Sequence, residues 1–231
     1  MGAGKLDGRI AVITGAASGI GRAIAVAFAA ERARVVAADV NAQGLREIEG
    51  ERILAVPTDV TVEGEVRNMV ETALSRFGRI DVFFNNAGLG DYTPIESLGD
   101  GQFERVVRVH LFGGLYGLRA TMPVMRRQGQ GRIVNMLSRG AEMAAPGWAA
   151  YGAGKAGLFA LTRVAAAECA GTDILVNGMI PGPTRTGMMK GEGLQEPEAV
   201  VPSALWLATL PTGGPSGKVF WNMQEYHLFA K

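Results

Sequence analysis

A short apolar run, Ile10-Ala11-Val12-Ile13, ends in Thr14 and passes at once into a turn carrying Gly15, Gly19 and Gly21. Beyond the turn Ile20, Ile24 and Phe28 recur at four-residue spacing, the stripe of an amphipathic helix. Strand, glycine turn and helix in that order leave few folds open. A residue without Cβ permits a tight turn and lets backbone approach a pyrophosphate, whose charge the N–H groups and positive end of the following helix favour. A tight turn without any ligand explains a glycine triplet equally well, so the rest of the chain must decide.

Further short apolar runs follow at Arg34–Ala38, Ile53–Pro57, Ile80–Phe84, Arg132–Leu137, Ile174–Ile180 and Lys218–Trp221, which with Arg9–Thr14 make seven strand candidates. Most are continuously apolar and not alternating, so both faces of the sheet are expected to be covered. Helix-patterned segments lie between them, the longest over about 102–127 and others over 151–170 and 197–210. The predicted fold class is α/β, a three-layer doubly wound Rossmann fold with a mostly seven-stranded parallel sheet. At 231 residues, 48% hydrophobic and 19% charged, residues 1–231 are expected to form one domain.

Asp39 ends the second apolar run, twenty residues beyond Gly19. A carboxylate there accepts hydrogen bonds from the adenosine ribose hydroxyls and repels a 2′-phosphate. This breaks the tie over the glycine turn and points to NAD as cofactor, as does the lack of a basic residue among Ala16-Ala17-Ser18. Tyr151 and Lys155, four apart on one helix face, set an ammonium near a phenol. A free tyrosine titrates near ~10, and a nearby cation lowers that value, so Tyr151 becomes a candidate general acid or base. Ser138, thirteen residues upstream at the carboxyl end of a strand, stands where ligands of open α/β sheets bind and offers a hydroxyl to the reacting oxygen.

With these residues in place the chain resembles the short-chain dehydrogenase/reductase family in its classical branch, over nearly all its length to about Pro183 and more weakly beyond. Thr14 through Gly21, including Gly15, Ser18, Gly19, Ile20 and Gly21, is similar to the family's cofactor loop; Asp59-Val60 to its adenine-contacting pair; Asn85-Asn86-Ala87-Gly88 to the motif after its fourth strand. Ser138, Tyr151 and Lys155 match its catalytic residues, and Pro181-Gly182-Pro183-Thr184-Arg185-Thr186 its nicotinamide-holding segment. The resemblance implies that Tyr151 exchanges a proton with the substrate oxygen, Ser138 orients that oxygen, and Lys155 lowers the tyrosine pKa and binds the nicotinamide ribose. It also implies that Thr186 bonds the carboxamide and that Asn86 lies against the adenine-side ribose. The function so implied is NAD(H)-dependent interconversion of a secondary alcohol and a ketone with a mainly apolar body, without a metal ion.

Three features depart from the family pattern. His110 stands where an asparagine is usual, so it either serves the same proton relay, through one ring nitrogen, or is a core histidine satisfied by a carbonyl. The lid after Thr186 is short, Gly187-Met188-Met189-Lys190-Gly191-Glu192-Gly193, which predicts an open cleft. The aromatic end, Trp221 through Phe229, packs on a neighbouring subunit, edges the pocket or forms a surface tail. Met143, Trp148, Met179 and Met188 are candidate pocket walls, each more simply read as core.

Lys plus Arg total 23 against 22 acidic residues, a net charge of +1 that offers no footprint for nucleic acid or anionic lipid. The first eight residues carry no signal-like apolar stretch and no run approaches the ~20 apolar residues of a membrane span, so a soluble cytoplasmic protein is expected. The lone Cys169, in an alanine-rich helical run without a nearby histidine, reads as structural. By resemblance the helices at 102–127 and 151–170 pair into a homo-oligomer, a dimer or tetramer, with Ala149, Ala153, Ala156 and Gly157 permitting close approach. Two other readings share these residues: an NADPH-dependent carbonyl reductase, and a catalytically weak nucleotide-binding regulator of the same fold.

Overall fold

In the computed structural model, which describes residues 4–189 and 191–230, all seven expected strands form and join one sheet. They are β1 (Ile10–Thr14), β2 (Arg34–Asp39), β3 (Ile53–Pro57), β4 (Val82–Asn85), β5 (Gln130–Met136), β6 (Asp173–Ile180) and β7 (Val219–Trp221). The sheet order is β3-β2-β1-β4-β5-β6-β7, all parallel, with an eighth strand beyond β7. The eighth strand, β8 (Gln224–Glu225), was not expected; it adds antiparallel to β7 through a two-residue turn and is too short and polar to show an apolar run. The winding reverses between β1 and β4, and there the carboxyl ends of the strands leave a crevice.

The continuous apolar runs divide by residue parity. Ala11, Ile13, Val35, Ala37 and Phe84 point to one core with α1 (Gly19–Ala30) and, much later in the chain, α7 (Val201–Ala208). Val12, Val36, Phe83, Ile133 and Val176 point to the other, beneath α3 (Glu63–Phe77), α5 (Gly113–Gln128) and α6 (Ala149–Glu168). A short α2 (Ala42–Arg46) follows β2. This is the three-layer, doubly wound arrangement. Cys169 and Met179 are buried in these cores, 2% and 0% exposed, which makes Met179 core and not pocket wall.

The long helix expected over 102–127 forms, but not as one regular α-helix. It consists of α4 (Gln102–Val107), a π turn at Arg108–Phe112, and α5. The wide turn falls where α6 comes closest: a Cβ on Gly154 would lie 2.9 Å from His110 Cβ, and one on Gly157 2.9 Å from Leu111 Cδ1. The extra residue in the turn seats His110 inward at 1% exposure. Periodicity does not reveal this, because the apolar stripe runs through the interruption.

The lid region carries contacts that the sequence did not suggest. After a short turn at Gly187–Met189 the chain folds back, with Thr184 pairing to Gln195. Gln195 Nε2 donates to Pro181 O at 2.6 Å and to Thr184 Oγ1 at 3.2 Å, and Arg185 pairs with Glu196. The short lid is tied down by polar contacts that its glycines do not disclose. Lys190 lies outside the described residues. The aromatic tail turns back on its own chain, where Leu228 joins Leu137, Leu158, Ile180 and Val219 in a small core.

Candidate active site

Three segments meet at the crevice: the glycine turn after β1, the turn after β4, and Pro181–Thr186 after β6. Gly15 has φ +68°, a left-handed value open to glycine, and its missing Cβ would lie 2.8 Å from Ala87 Cα. At Gly21 the limit is distance, since a Cβ there would stand 2.0 Å from Gly15 O. Gly19 abuts Thr186, whose Cγ2 would lie 3.0 Å from an added Cβ.

Thr14, which the sequence places at the strand end and the start of the cofactor loop, is the hub. Its hydroxyl donates to Phe84 O at 3.2 Å and accepts Asn86 N and Ala87 N, both at 3.1 Å. Asn86 Nδ2 donates to Thr14 O at 2.9 Å and Gly15 O at 3.2 Å. Asn86 thus holds the glycine turn against the β4 turn, a role the resemblance did not indicate, with its amide nitrogen directed to the loop and not outward.

Helix α1 opens without a side-chain cap at exposed Ser18 and has no acid in its first turn, so N–H groups around Gly19, Ile20 and Gly21 remain for an anion. Asp39 lies at the neighbouring strand end, accepting Ala17 N at 3.1 Å and Asn41 N at 2.9 Å. Arg22, the nearest cation on α1, pairs with Glu47 at 2.8 Å. Asp59 accepts Thr61 N and Oγ1 at 2.8 and 2.7 Å, placing buried Val60 against Gly113. Thr184 is buried at 3% exposure, and Gly182 faces Trp221 Nε1, 3.3 Å from its missing Cβ. An uncapped helix end beside a carboxylate fits a dinucleotide's pyrophosphate and ribose.

Ser138 follows β5 and caps the turn Arg139–Ala141, its Oγ accepting Gly140 N at 3.0 Å. It also stands close enough to Tyr151 to favour the phenolate, but burial dominates and pushes the Tyr151 phenol up to about 12. Three rings surround that phenol: His110 at 5.1 Å, Trp148 at 5.5 Å and Tyr92 at 5.9 Å between centroids. Lys155 is 3% exposed and burial draws it down to about 7. Its Nζ donates to Met136 O at 2.7 Å and stands 5.8 Å from the Tyr151 ring centre. The Met136 carbonyl takes one of the ammonium's protons, and among the groups acting on the Tyr151 phenol Ser138 favours the phenolate.

His110 Nε2 lies 2.8 Å from Leu89 O, an acceptor, which assigns the proton to Nε2 and leaves Nδ1 a buried acceptor without a protein partner. Burial first, then the charge of Lys155, push the imidazole down to about 3. A buried chain missed by sequence reasoning fixes α6: Asn85 Nδ2 donates to Asn135 Oδ1 at 2.7 Å, and Asn135 Nδ2 to Thr162 Oγ1 at 2.8 Å. Two asparagines inside otherwise apolar strands were the available signal. Among the described residues no acid, cysteine or histidine cluster suited to a metal occurs, and no helix is long and apolar enough to cross a membrane.

The sequence profile of the short chain dehydrogenases matches residues 9–197. The chain belongs to the short-chain dehydrogenase family. Among curated relatives of this oxidoreductase, levodione reductase of Leifsonia aquatica is 38% identical over 204 residues, covering 84% of this chain and 76% of the relative. The 2-(R)-hydroxypropyl-CoM dehydrogenase of Xanthobacter autotrophicus is 37% identical, with 82% and 80% covered. Among solved structures, a 3-ketoacyl-(acyl-carrier-protein) reductase from Brucella melitensis complexed with NADH superposes with a TM-score of 0.88 at 30% identity, covering 94% of this chain and 97% of that one.

Proposed function

We propose that this short-chain dehydrogenase is a single-domain, NAD-dependent enzyme that interconverts a secondary alcohol and a ketone, with Tyr151 exchanging the proton at the substrate oxygen. The observation that carries the reading is the buried phenol beside Ser138 at the mouth of a crevice whose helix end is uncapped. A nicotinamide dinucleotide, when bound, supplies or takes the hydride. Its phosphates would be held by the N–H groups of the Gly15–Gly21 turn, its adenosine ribose by Asp39, its adenine by Asp59 and Val60. Ala87, Gly88, Pro181, Gly182, Thr184 and Thr186 would hold the nicotinamide half, together with Tyr151 and Lys155.

At neutral pH the Tyr151 phenol is protonated and can give its proton to a carbonyl oxygen as that oxygen gains charge. Ser138 donates to the same oxygen and orients it toward the phenol. Lys155, charged below about pH 7, bonds ribose hydroxyls and stabilises the phenolate by charge. The family names of the relatives, a reductase and a dehydrogenase, support chemistry at a carbinol carbon. The preference for NAD rests on Asp39 and on the engagement of Arg22 by Glu47, and the NADH in the Brucella melitensis structure is consistent with it.

The substrate body would enter a cavity of about 630 Å³ lined by Pro94, Ile95, Glu96, Met143, Pro146 and Trp148, which is mainly apolar. We place the enzyme in the cytoplasm as a dimer or tetramer, which sedimentation of the purified chain tests. Tyr151→Phe lowers turnover by ~10²–10⁴-fold and leaves NAD affinity within about twofold. Full turnover in that variant overturns the mechanism. Titration with NAD and NADP in parallel tests the cofactor: equal or tighter NADP binding makes it an NADPH-dependent carbonyl reductase. Tight NAD binding with no turnover over an alcohol and ketone panel makes it a nucleotide-binding regulator.

A further inference from the structure

The turn Arg139–Ala141 lies between Ser138 and the loop leading to Tyr151, and it touches both. Gly140 N bonds Ser138 Oγ at 3.0 Å, and a Cβ on Gly140 would come within 2.8 Å of Tyr151 Cε1 and 2.5 Å of Trp148 Cζ3. Such contact leaves the turn no slack, so a displacement of a few tenths of an ångström moves the hydroxyl and the phenol relative to each other. Backbone bonds from Glu142 N and Met143 N to Arg139 O, at 3.0 and 3.1 Å, close this turn on itself. Besides α6, the contacts that fix it from outside come from the other end of the chain.

Glu142, the residue after the turn, directs both carboxylate oxygens to the tail. One accepts the Tyr226 hydroxyl and the other accepts Phe229 N at 2.8 Å. Arg139 lies 5.5 Å over the Trp221 ring and interacts with Tyr226, whose own ring stands 5.9 Å from Trp221. Trp221 in turn backs Gly182 in the segment after β6. Leu228 is 7% exposed among Leu137, Leu158, Ile180 and Val219, so an apolar anchor sits beside the polar one.

The tail reaches this position at a conformational cost. Asn222 and Met223 form the two-residue turn between β7 and β8 with φ +50° and +63°, and Phe229 has φ +63°. Side-chain-bearing residues hold left-handed backbone only where their surroundings impose it, and such positions gather at functional segments. At Asn222 and Met223 the two-residue hairpin imposes it, and at Phe229 the backbone N–H is held by the Glu142 carboxylate.

We propose that residues 221–229 are a brace for the active site and that Glu142 is the positioning residue through which the tail fixes the Ser138–Gly140 turn against Tyr151. The inference rests on Ser138 and Tyr151 being the reacting pair. It assigns the unusual aromatic end of this chain a role in the monomer, acting through the turn and not through contact with substrate.

The test uses the full chain with Glu142→Ala, Tyr226→Phe, the double variant and Glu142→Gln, reading amide hydrogen exchange and turnover together. Loss of a hydrogen bond to a charged group corresponds to about tenfold in an opening equilibrium. Exchange over 138–148 is expected to rise about tenfold in Glu142→Ala and Tyr226→Phe, with the rest of the sheet unchanged. Turnover should fall about tenfold in kcat with KM for cofactor within about twofold, Glu142→Gln should recover part of it, and the double variant should be no worse than the poorer single one. Unchanged exchange in all variants overturns the brace, as does faster exchange with unaltered kcat, or single losses that multiply in the double variant. If the wild-type chain turns over no alcohol or ketone, the functional reading fails, while exchange over 138–148 still decides the brace.

Discussion

His110→Asn is expected to make the protein less sensitive to acid, and the magnitude follows from burial. The imidazole is 1% exposed and titrates at about 3 in the native state against 6.5 when free. Because the folded value is depressed, the native state is neutral at pH 7 and pays nothing there. As pH falls below 6.5 the unfolded chain takes up a proton that the native chain does not, so stability is lost between pH 6.5 and 3. At pH 4 the unfolded form is favoured by about 300-fold on this account, which at about 1.4 kcal/mol per tenfold is about 3 kcal/mol. That is a large part of a typical ~5–15 kcal/mol. Replacement by Asn removes the titration and adds only a pH-independent offset from the altered bond to Leu89 O. Urea unfolding of both proteins at pH 7, 6, 5 and 4, at one concentration, measures it. The stability difference should move in favour of His110→Asn by about 3 kcal/mol between pH 7 and pH 4. Parallel curves would falsify the assignment of a buried neutral imidazole.

Three further outcomes are expected. Gly21→Ala drives a methyl to 2.0 Å from Gly15 O, so dinucleotide binding should be lost and chemical denaturation should show about 1–3 kcal/mol of destabilisation; wild-type affinity would mean the turn is looser than described. Asn86→Ala removes the donor to Thr14 O and Gly15 O, and isothermal titration should give about tenfold weaker dinucleotide binding, with no change refuting its role as a loop clasp. Lys155 has a depressed value, about 7, so its ammonium is lost as pH rises through that region; dinucleotide affinity should fall between pH 6 and 9, and Lys155→Met should flatten that dependence.

Much of the fold could be read from the chain because parallel strands buried on both faces write themselves as uninterrupted apolar runs, as Ile10–Thr14 and Asp173–Ile180 do. The candidate site was legible where chemistry needs a residue type at a fixed spacing: glycines before a helix, Asp39 at a strand end, Tyr151 four before Lys155. What escaped depends on contacts distant in sequence. Thr14 bonds across 72 residues to Asn86, Glu142 across 84 to Tyr226, and Lys155 gives its ammonium to Met136 O because a buried cation takes the nearest strong acceptor. The π turn at Arg108–Phe112 escaped for another reason: one extra residue in a helix does not disturb an apolar stripe enough to be seen, yet it turns His110 inward.

The same inward turn bears on how a proton would leave Tyr151. With its Nε2 proton committed to Leu89 O, His110 offers Nδ1 only as an acceptor, and an imidazole titrating at about 3 carries no second proton and no charge at neutral pH. It can therefore orient a donor but cannot act as a charged intermediate. Lys155, at about 7, is the group nearby that changes charge near neutrality. If both belong to one relay, its pH dependence should follow the ammonium and not the imidazole. The histidine at this position then keeps a hydrogen-bond acceptor without adding a titration in the working range, because burial has removed the charge that distinguishes it from an amide.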